Sequence, residues 1–190
     1  MILELLRHGE TEQGGGLRGS IDDALTSAGW EQMRQTVRPM SGWDAIISSP
    51  LKRCVHFAAE LGALHGVAVD VRPGLQELHF GEWEGRHPSE LMVHQSTELG
   101  LFWEDPYAFT PPAGEPVALF RQRVLHTLEE LEEDYHGKRL LVVTHAGVMR
   151  LLLARSRGLP DRELLQVQVA YAQLVSLRRH TDGRLEEEHA

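Results

Sequence analysis

The sequence predicts an α/β protein: a three-layer α/β/α sandwich on a mostly parallel central sheet, with a small cap excursion, forming one domain over residues 1–190. Three observations carry this prediction. First, an apolar run of strand length gives way three times to polar or small residues and then to a helical pattern, starting near Leu3, Ala45 and Leu140. That alternation builds a parallel sheet covered by helices. Second, residues 51–65, 116–135 and 148–157 repeat apolar residues at helical spacing. Third, residues 86–115 break the pattern, with Pro88, Pro106, Pro111 and Pro112 set among Phe102, Trp103, Tyr107 and Phe109. We read that stretch as an excursion over a cleft, whose aromatics either stack on a substrate ring or pack the excursion onto the body.

The first strand, residues 3–6, ends in Arg7, His8 and Gly9. Ligands of open α/β sheets bind outside the carboxyl ends of the strands, and a glycine there lets the backbone turn closely. The run Gly14, Gly15 and Gly16, with Gly19, makes a flexible loop beside that end. Thr26 caps a helix that reaches about Arg38, where Pro39 stops it. Residues 43–48 form the second strand. Ser49 and Pro50 open a helix over 51–65 with Arg53 in its first turn, where the helix amino terminus favours anions. Residues 67–71 form a third, short strand.

The loop 74–85 is dense in carboxylates and aromatics: Glu77, Phe80, Glu82, Trp83 and Glu84. After the excursion, 116–135 is a long amphipathic helix whose acidic cluster (Glu129, Glu130, Glu132, Glu133, Asp134) is expected to be a solvated face. Residues 138–144 form the strand that delivers His145, followed by Ala146, Gly147 and the helix 148–157. Strands at 165–169 and 174–179 complete the sheet, ahead of an acidic, frayed tail.

Composition narrows the function classes. The chain is 42% hydrophobic and 25% charged, ordinary for a soluble globular protein. A formal charge of −9 argues against a nucleic-acid surface, so any attraction for phosphate is local, supplied by Arg7, Arg18 and Arg53. The opening residues are apolar but lack a basic leader, and charge interrupts them too early for a signal peptide or a membrane span. A cytoplasmic protein is expected. The single cysteine, Cys54, excludes an internal disulfide, and packing is its expected role. No His-Glu-x-x-His occurs, and neither His8 nor His145 has a close-spaced ligand partner, so no metal or cofactor is expected. Nothing in the chain sets the oligomeric state, and a homo-oligomer is compatible with it. Of the 11 histidines, His56, His65, His126, His136, His180 and His189 are assigned to packing or solvent.

Five motifs in order resemble the histidine phosphatase (phosphoglycerate-mutase-like) superfamily. They are Arg7-His8-Gly9-Glu10-Thr11; Gly19 with Asp22, Leu25 and Thr26; Ser49-Pro50-Leu51 with Arg53; Glu77 with Phe80-Gly81-Glu82-Trp83-Glu84-Gly85; and Thr144-His145-Ala146-Gly147. The chain departs from the pattern at Gly14 to Gly16, where many relatives carry a tryptophan and an asparagine, and at Ala24, often a proline. The resemblance implies a metal-independent phosphomonoesterase in which His8 becomes a phosphohistidine that water hydrolyses. Within the superfamily the motifs look most like α-ribazole phosphatases, which remove the 5′-phosphate of α-ribazole 5′-phosphate in cobalamin biosynthesis. A fructose-bisphosphatase-type enzyme, a phosphoglycerate-mutase-like enzyme and an inactive phospholigand-binding module are the alternatives.

The chemistry of the residues agrees. Arginines beside a histidine disfavour its protonated form and keep the ring nucleophilic. Arg7, Arg53 and a proton-donating His145 can hold the charge that spreads over a transferring phosphoryl group. The leaving alkoxide needs a proton, and the residues alone leave Glu10, Glu77, Glu82 and Glu84 as candidates. The resemblance selects Glu77. Arg7, Arg18, Gly19, Arg53, Glu77, His145 and Ala146 are the expected contacts to a small-molecule phosphomonoester.

Overall fold

Two apolar strands lie side by side at the centre: β1 (Ile2–Arg7) pairs in parallel with β4 (Arg139–Thr144), in register from Ile2 opposite Arg139 to Arg7 opposite Thr144. On the far side of β4 come β2 (Ala45–Ser48) and β3 (Val69–Val71), also parallel; beyond β1 come β5 (Leu174–Arg179) and β6 (Leu185–Glu188), both antiparallel to their neighbours. The resulting order is β3-β2-β4-β1-β5-β6. The computed structural model describes residues 1–188. His189, assigned above to packing or solvent, lies outside them.

Alternate residues of the central strands face opposite layers, as the period of two requires. Leu3, Leu5, Ile47, Leu140 and Val142 pack in one cluster with Phe120 and Val124 of α5 (Val117–Asp134) and Met149 and Leu152 of α6 (Ala146–Ser156). Leu6, Ile46, Leu141 and Val143 pack in the other with Met33 of α1 (Ser27–Val37) and Phe57 and Leu61 of α2 (Lys52–His65). The sandwich therefore has its three layers. Thr26 caps α1 by accepting from the Gly29 amide at 2.9 Å. Gly9 and Gly29 let α1 abut the end of β1, since a Cβ on Gly9 would stand 2.2 Å from the Gly29 carbonyl oxygen.

The excursion folds as two short helices, α3 (Pro88–His94) and α4 (Ser96–Glu104). Its aromatics divide. Phe102 meets Trp83 edge-on at 5.7 Å and Phe109 stacks on it at 5.8 Å, so these two pack the excursion to the body. Trp103 keeps 46% of its surface exposed. Among the described residues no helix is long and apolar enough to cross a membrane.

Three expectations require correction. Residues 165–169 are not a strand: a 3-10 turn occupies Asp161–Gln166, and Leu164, Val167 and Val169 are buried one by one instead of pairing in a ladder. The acidic tail is not frayed as far as Glu188, because 185–188 pair with β5 and their carboxylates meet Arg157, Arg178, Arg184 and His180. The acidic face of α5 is not merely solvated either. Glu132 bonds Arg179 at 3.0 Å, and Asp134 and Glu130 engage Arg72.

Candidate active site

The register of β1 against β4 brings two histidines off the sheet at the same level. His8 follows Arg7, His145 follows Thr144, and their ring centroids are 5.3 Å apart. The backbone amide of His8 donates to the Thr144 carbonyl at 3.0 Å, which locks the two strand ends together. Ser49 leaves the neighbouring β2 at the same height, its amide donating to the Val143 carbonyl.

Hydrogen bonds set each imidazole's tautomer. Nδ1 of His8 lies 2.8 Å from the Gly9 carbonyl oxygen, which can only accept, so Nδ1 carries the proton and Nε2 keeps a free lone pair. Nδ1 of His145 lies 3.2 Å from Nε of Arg53, which can only donate. His145 therefore carries its proton on Nε2, 2.7 Å from Ser49 Oγ. A bound phosphoryl oxygen would compete with Ser49 for that N–H.

Both rings are buried, and both stay neutral at ordinary pH. Burial and then the Arg53 guanidinium push His8 down to about 3; the bond to Gly9 opposes them, and Arg7 adds a smaller push downward. Burial, Arg53, His8 and Arg7 hold His145 well below the usual histidine range. Cys54 sits beneath, its Sγ 3.7 Å from His145 Nε2, with burial pushing its thiol up to about 12. It is an inert packing group.

Arg7 donates from one terminal nitrogen to the Val169 carbonyl at 2.7 Å, and Tyr171 lies over its guanidinium at 4.1 Å. Its Nε is buried without a hydrogen-bond partner among the described residues, a donor beside His8 suited to an anion. Arg53 has no exposed surface. Besides His145 it bonds the carbonyls of Ile21 at 2.6 Å and Gly19 at 2.9 Å, and Asp23 stands 3.6 Å away. It thus ties the loop 18–21 to the histidine pair.

Glu77 closes the other side. Its Oε2 accepts from the Gly147 amide in the first turn of α6 and its Oε1 from the Leu78 amide, both at 2.9 Å. Arg123 of α5 holds the backbone there, donating to the carbonyls of Gly74, Gln76 and Glu77. A larger residue at 147 would displace this carboxylate, since a Cβ there would lie 2.1 Å from Glu77 Oε1.

A protein-family model of the histidine phosphatase superfamily, branch 1, matches residues 3–189. The chain belongs to this superfamily. It is 34% identical over 173 residues to the adenosylcobalamin/alpha-ribazole phosphatase of Escherichia coli, covering 89% of this chain and 85% of that one. It is 30% identical over 196 residues to the glucosyl-3-phosphoglycerate phosphatase of Mycolicibacterium vanbaalenii, covering 94% and 84%. Among solved structures, a putative alpha-ribazole-5′-P phosphatase from Escherichia coli superposes with a TM-score of 0.86 at 30% identity, covering 99% of this chain and 94% of that one. The chain is a phosphatase, a hydrolase of phosphomonoesters.

Of the expected site residues of this histidine phosphatase, the structure gathers Arg7, His8, Arg53, Glu77, His145 and Ala146, the first residue of α6. It does not bring Arg18 in. That side chain turns to the carbonyls of Gly14 and Gln13 and to Asp23, so the loop's own acceptors consume it. Gly19 contributes no free donor: its amide goes to Glu84 and its carbonyl to Arg53. Glu84, one of the candidate acids, is committed to the amides of Gly19, Ser20, Ile21 and Phe80. The sequence reading missed Tyr171, Arg123 and the partnership of Ser49 with His145. Ser49 lay inside a quoted motif, but Tyr171 and Arg123 come from remote segments with no local signal.

Proposed function

We propose that this histidine phosphatase is a metal-independent phosphomonoesterase that passes its phosphoryl group through His8, and that its substrate is α-ribazole 5′-phosphate. The observation that carries the mechanism is the free Nε2 of a neutral His8 set between two arginines. In the first step Nε2 attacks phosphorus, the bond to the ester oxygen breaks, and Glu77 in its acid form gives that oxygen a proton. Arg7, Arg53 and His145 hold the equatorial oxygens, so the charge is met by oriented donors. In the second step water attacks the phosphohistidine, Glu77 takes a proton from the water, and inorganic phosphate leaves with His8 restored.

The substrate rests on the relatives named for alpha-ribazole, to which the match is nearly full length. A cytoplasmic location and a small-molecule substrate accord with it. Two measurements test the reading. Rapid quenching without acid during turnover, followed by mass mapping, should place phosphate on His8, and activity should survive EDTA. Values of kcat/KM for α-ribazole 5′-phosphate should exceed those for fructose bisphosphates and phosphoglycerates. Phosphate on another residue would remove His8 from the role, and a preference for a sugar bisphosphate would replace the substrate.

A further inference from the structure

A cavity of about 330 Å3 is lined by Leu17, Phe80, Phe102, Trp103, Leu165 and Gln166 with one cation, Arg150. Four connections join it to the site. Phe80 lies three residues beyond Glu77. Arg150 lies one turn along α6 from Gly147, whose amide holds Glu77. Arg150 donates to the Val167 carbonyl at 3.0 Å and Arg7 to that of Val169 at 2.7 Å, so their anchors are separated by no more than roughly 7 Å of chain. Leu17 exchanges backbone hydrogen bonds with Gly85 and Arg86 in the same loop system that carries Gly19.

If Glu77 protonates the leaving oxygen, whatever that oxygen is attached to must pass Glu77. The adjoining space is this cavity, about one helical turn, roughly 5.4 Å, further on. Its walls are largely apolar and aromatic. Phe102 and Phe109 are spent on Trp83, whereas Trp103 remains nearly half exposed at the rim. Pockets of this kind bind apolar bodies and orient them with a few polar groups, here the Arg150 guanidinium.

We propose that this cavity is the leaving-group subsite, and that it selects phosphomonoesters whose alcohol ends in a flat aromatic ring system presenting a hydrogen-bond acceptor to Arg150. The assignment rests on the phosphomonoesterase reading above and adds to it the residues that choose the substrate. Trp103 and Phe80 supply the aromatic surface, since ring pairs favour offset or edge-on contact. A small alcohol stops short of the cavity and forgoes these contacts.

The test compares three esters on the whole protein: a benzimidazole riboside 5′-phosphate, ribose 5-phosphate with the same reacting atoms but no ring, and 3-phosphoglycerate with a carboxylate and no ring. The wild type should favour the riboside over ribose 5-phosphate by on the order of 10-fold or more in kcat/KM. Trp103→Ala should remove most of that ratio, chiefly through KM, and Arg150→Gln should lower the riboside more than ribose 5-phosphate. Urea midpoints for both variants report whether they fold as the wild type does. Equal wild-type values with and without the ring would overturn the subsite. So would Trp103→Ala slowing both sugars alike, or Arg150→Gln acting mainly on 3-phosphoglycerate, which would make the cavity an anion site. If the wild type turns over p-nitrophenyl phosphate but none of the three, the subsite is overturned while the phosphatase reading stands; if it turns over none of the four, the phosphohistidine reading fails and the subsite falls with it.

Discussion

Arg53→Met keeps the aliphatic stem of a fully buried arginine and deletes its guanidinium. Four acceptors then lose this donor: the Ile21, Gly19 and Arg18 carbonyls and Nδ1 of His145. Asp23, 5% exposed, has carboxylate oxygens with no hydrogen-bond partner among the described residues; its ion-pair neighbours there are Arg53 and Arg18, each at 3.6 Å. Breaking such a buried pair from one side costs about 3–5 kcal/mol, against ~0–1 for a pair in solvent. Domains have about 5–15 kcal/mol in total, so the variant should still fold. With a urea slope of roughly 2 kcal/mol per molar, the midpoint should fall by about 2 M. Adding Asp23→Leu removes the stranded charge and should recover part of the loss. Single-turnover rates measured well below the unfolding transition should drop on the order of 10²-fold or more, in both the single and the double variant. A midpoint shift under about 0.5 M, or no recovery in the double variant, would refute the view that the buried Asp23 carboxylate depends on Arg53 as well as Arg18 for its compensation.

Two further outcomes are expected. Glu77→Gln should slow phosphorylation of His8 by an alkyl phosphate by roughly 10²-fold while sparing p-nitrophenyl phosphate, whose leaving group needs no proton; equal losses in single-turnover assays would reduce Glu77 to a binding role. Stability should depend on pH through the two histidines. Their folded-state values lie below the roughly 6.5 of an unfolded histidine, so the unfolded chain binds protons that the folded one refuses. Stability is then fully present above about pH 6.5 and falls on acidification toward 3, each histidine contributing a slope of up to about 1.4 kcal/mol per pH unit. Urea titrations between pH 7 and 5 should show a shallower slope for His8→Asn than for the wild type, and an unchanged slope would count against a buried, neutral His8.

The legible parts of the site were those tied to element ends. His8, Arg7 and His145 stand where apolar runs stop, and Arg53 stands in a first helical turn, so periodicity alone located them. Glu77 was different: Glu82 and Glu84 share its loop, Glu10 beyond the first strand was a fourth candidate, and resemblance chose among them. The structure shows why charge could not, because Glu84 spends its carboxylate on four backbone amides while Glu77 meets α6. Arg18 looked like a pocket cation because cationic side chains are scored by type, whereas its direction is fixed by the carbonyls of a glycine-rich loop. Strand β6 was hidden for a related reason. Glu186, Glu187 and Glu188 read as solvent-loving, and only the arginines brought alongside by folding make an edge strand of them.

The peptide unit at Gly19 is gripped from both sides: its amide by Glu84, its carbonyl by Arg53. Arg53 in turn holds His145. Such a clamp should make the Gly19, Ser20 and Ile21 amides slow in hydrogen–deuterium exchange, since all three are held by Glu84. It also makes the loop a reporter. An oxyanion that draws on Arg53 and His145 perturbs a residue that the Gly19 carbonyl shares, so the exchange rates of Gly19, Ser20 and Ile21 should register occupancy of a site that none of those three amides touches.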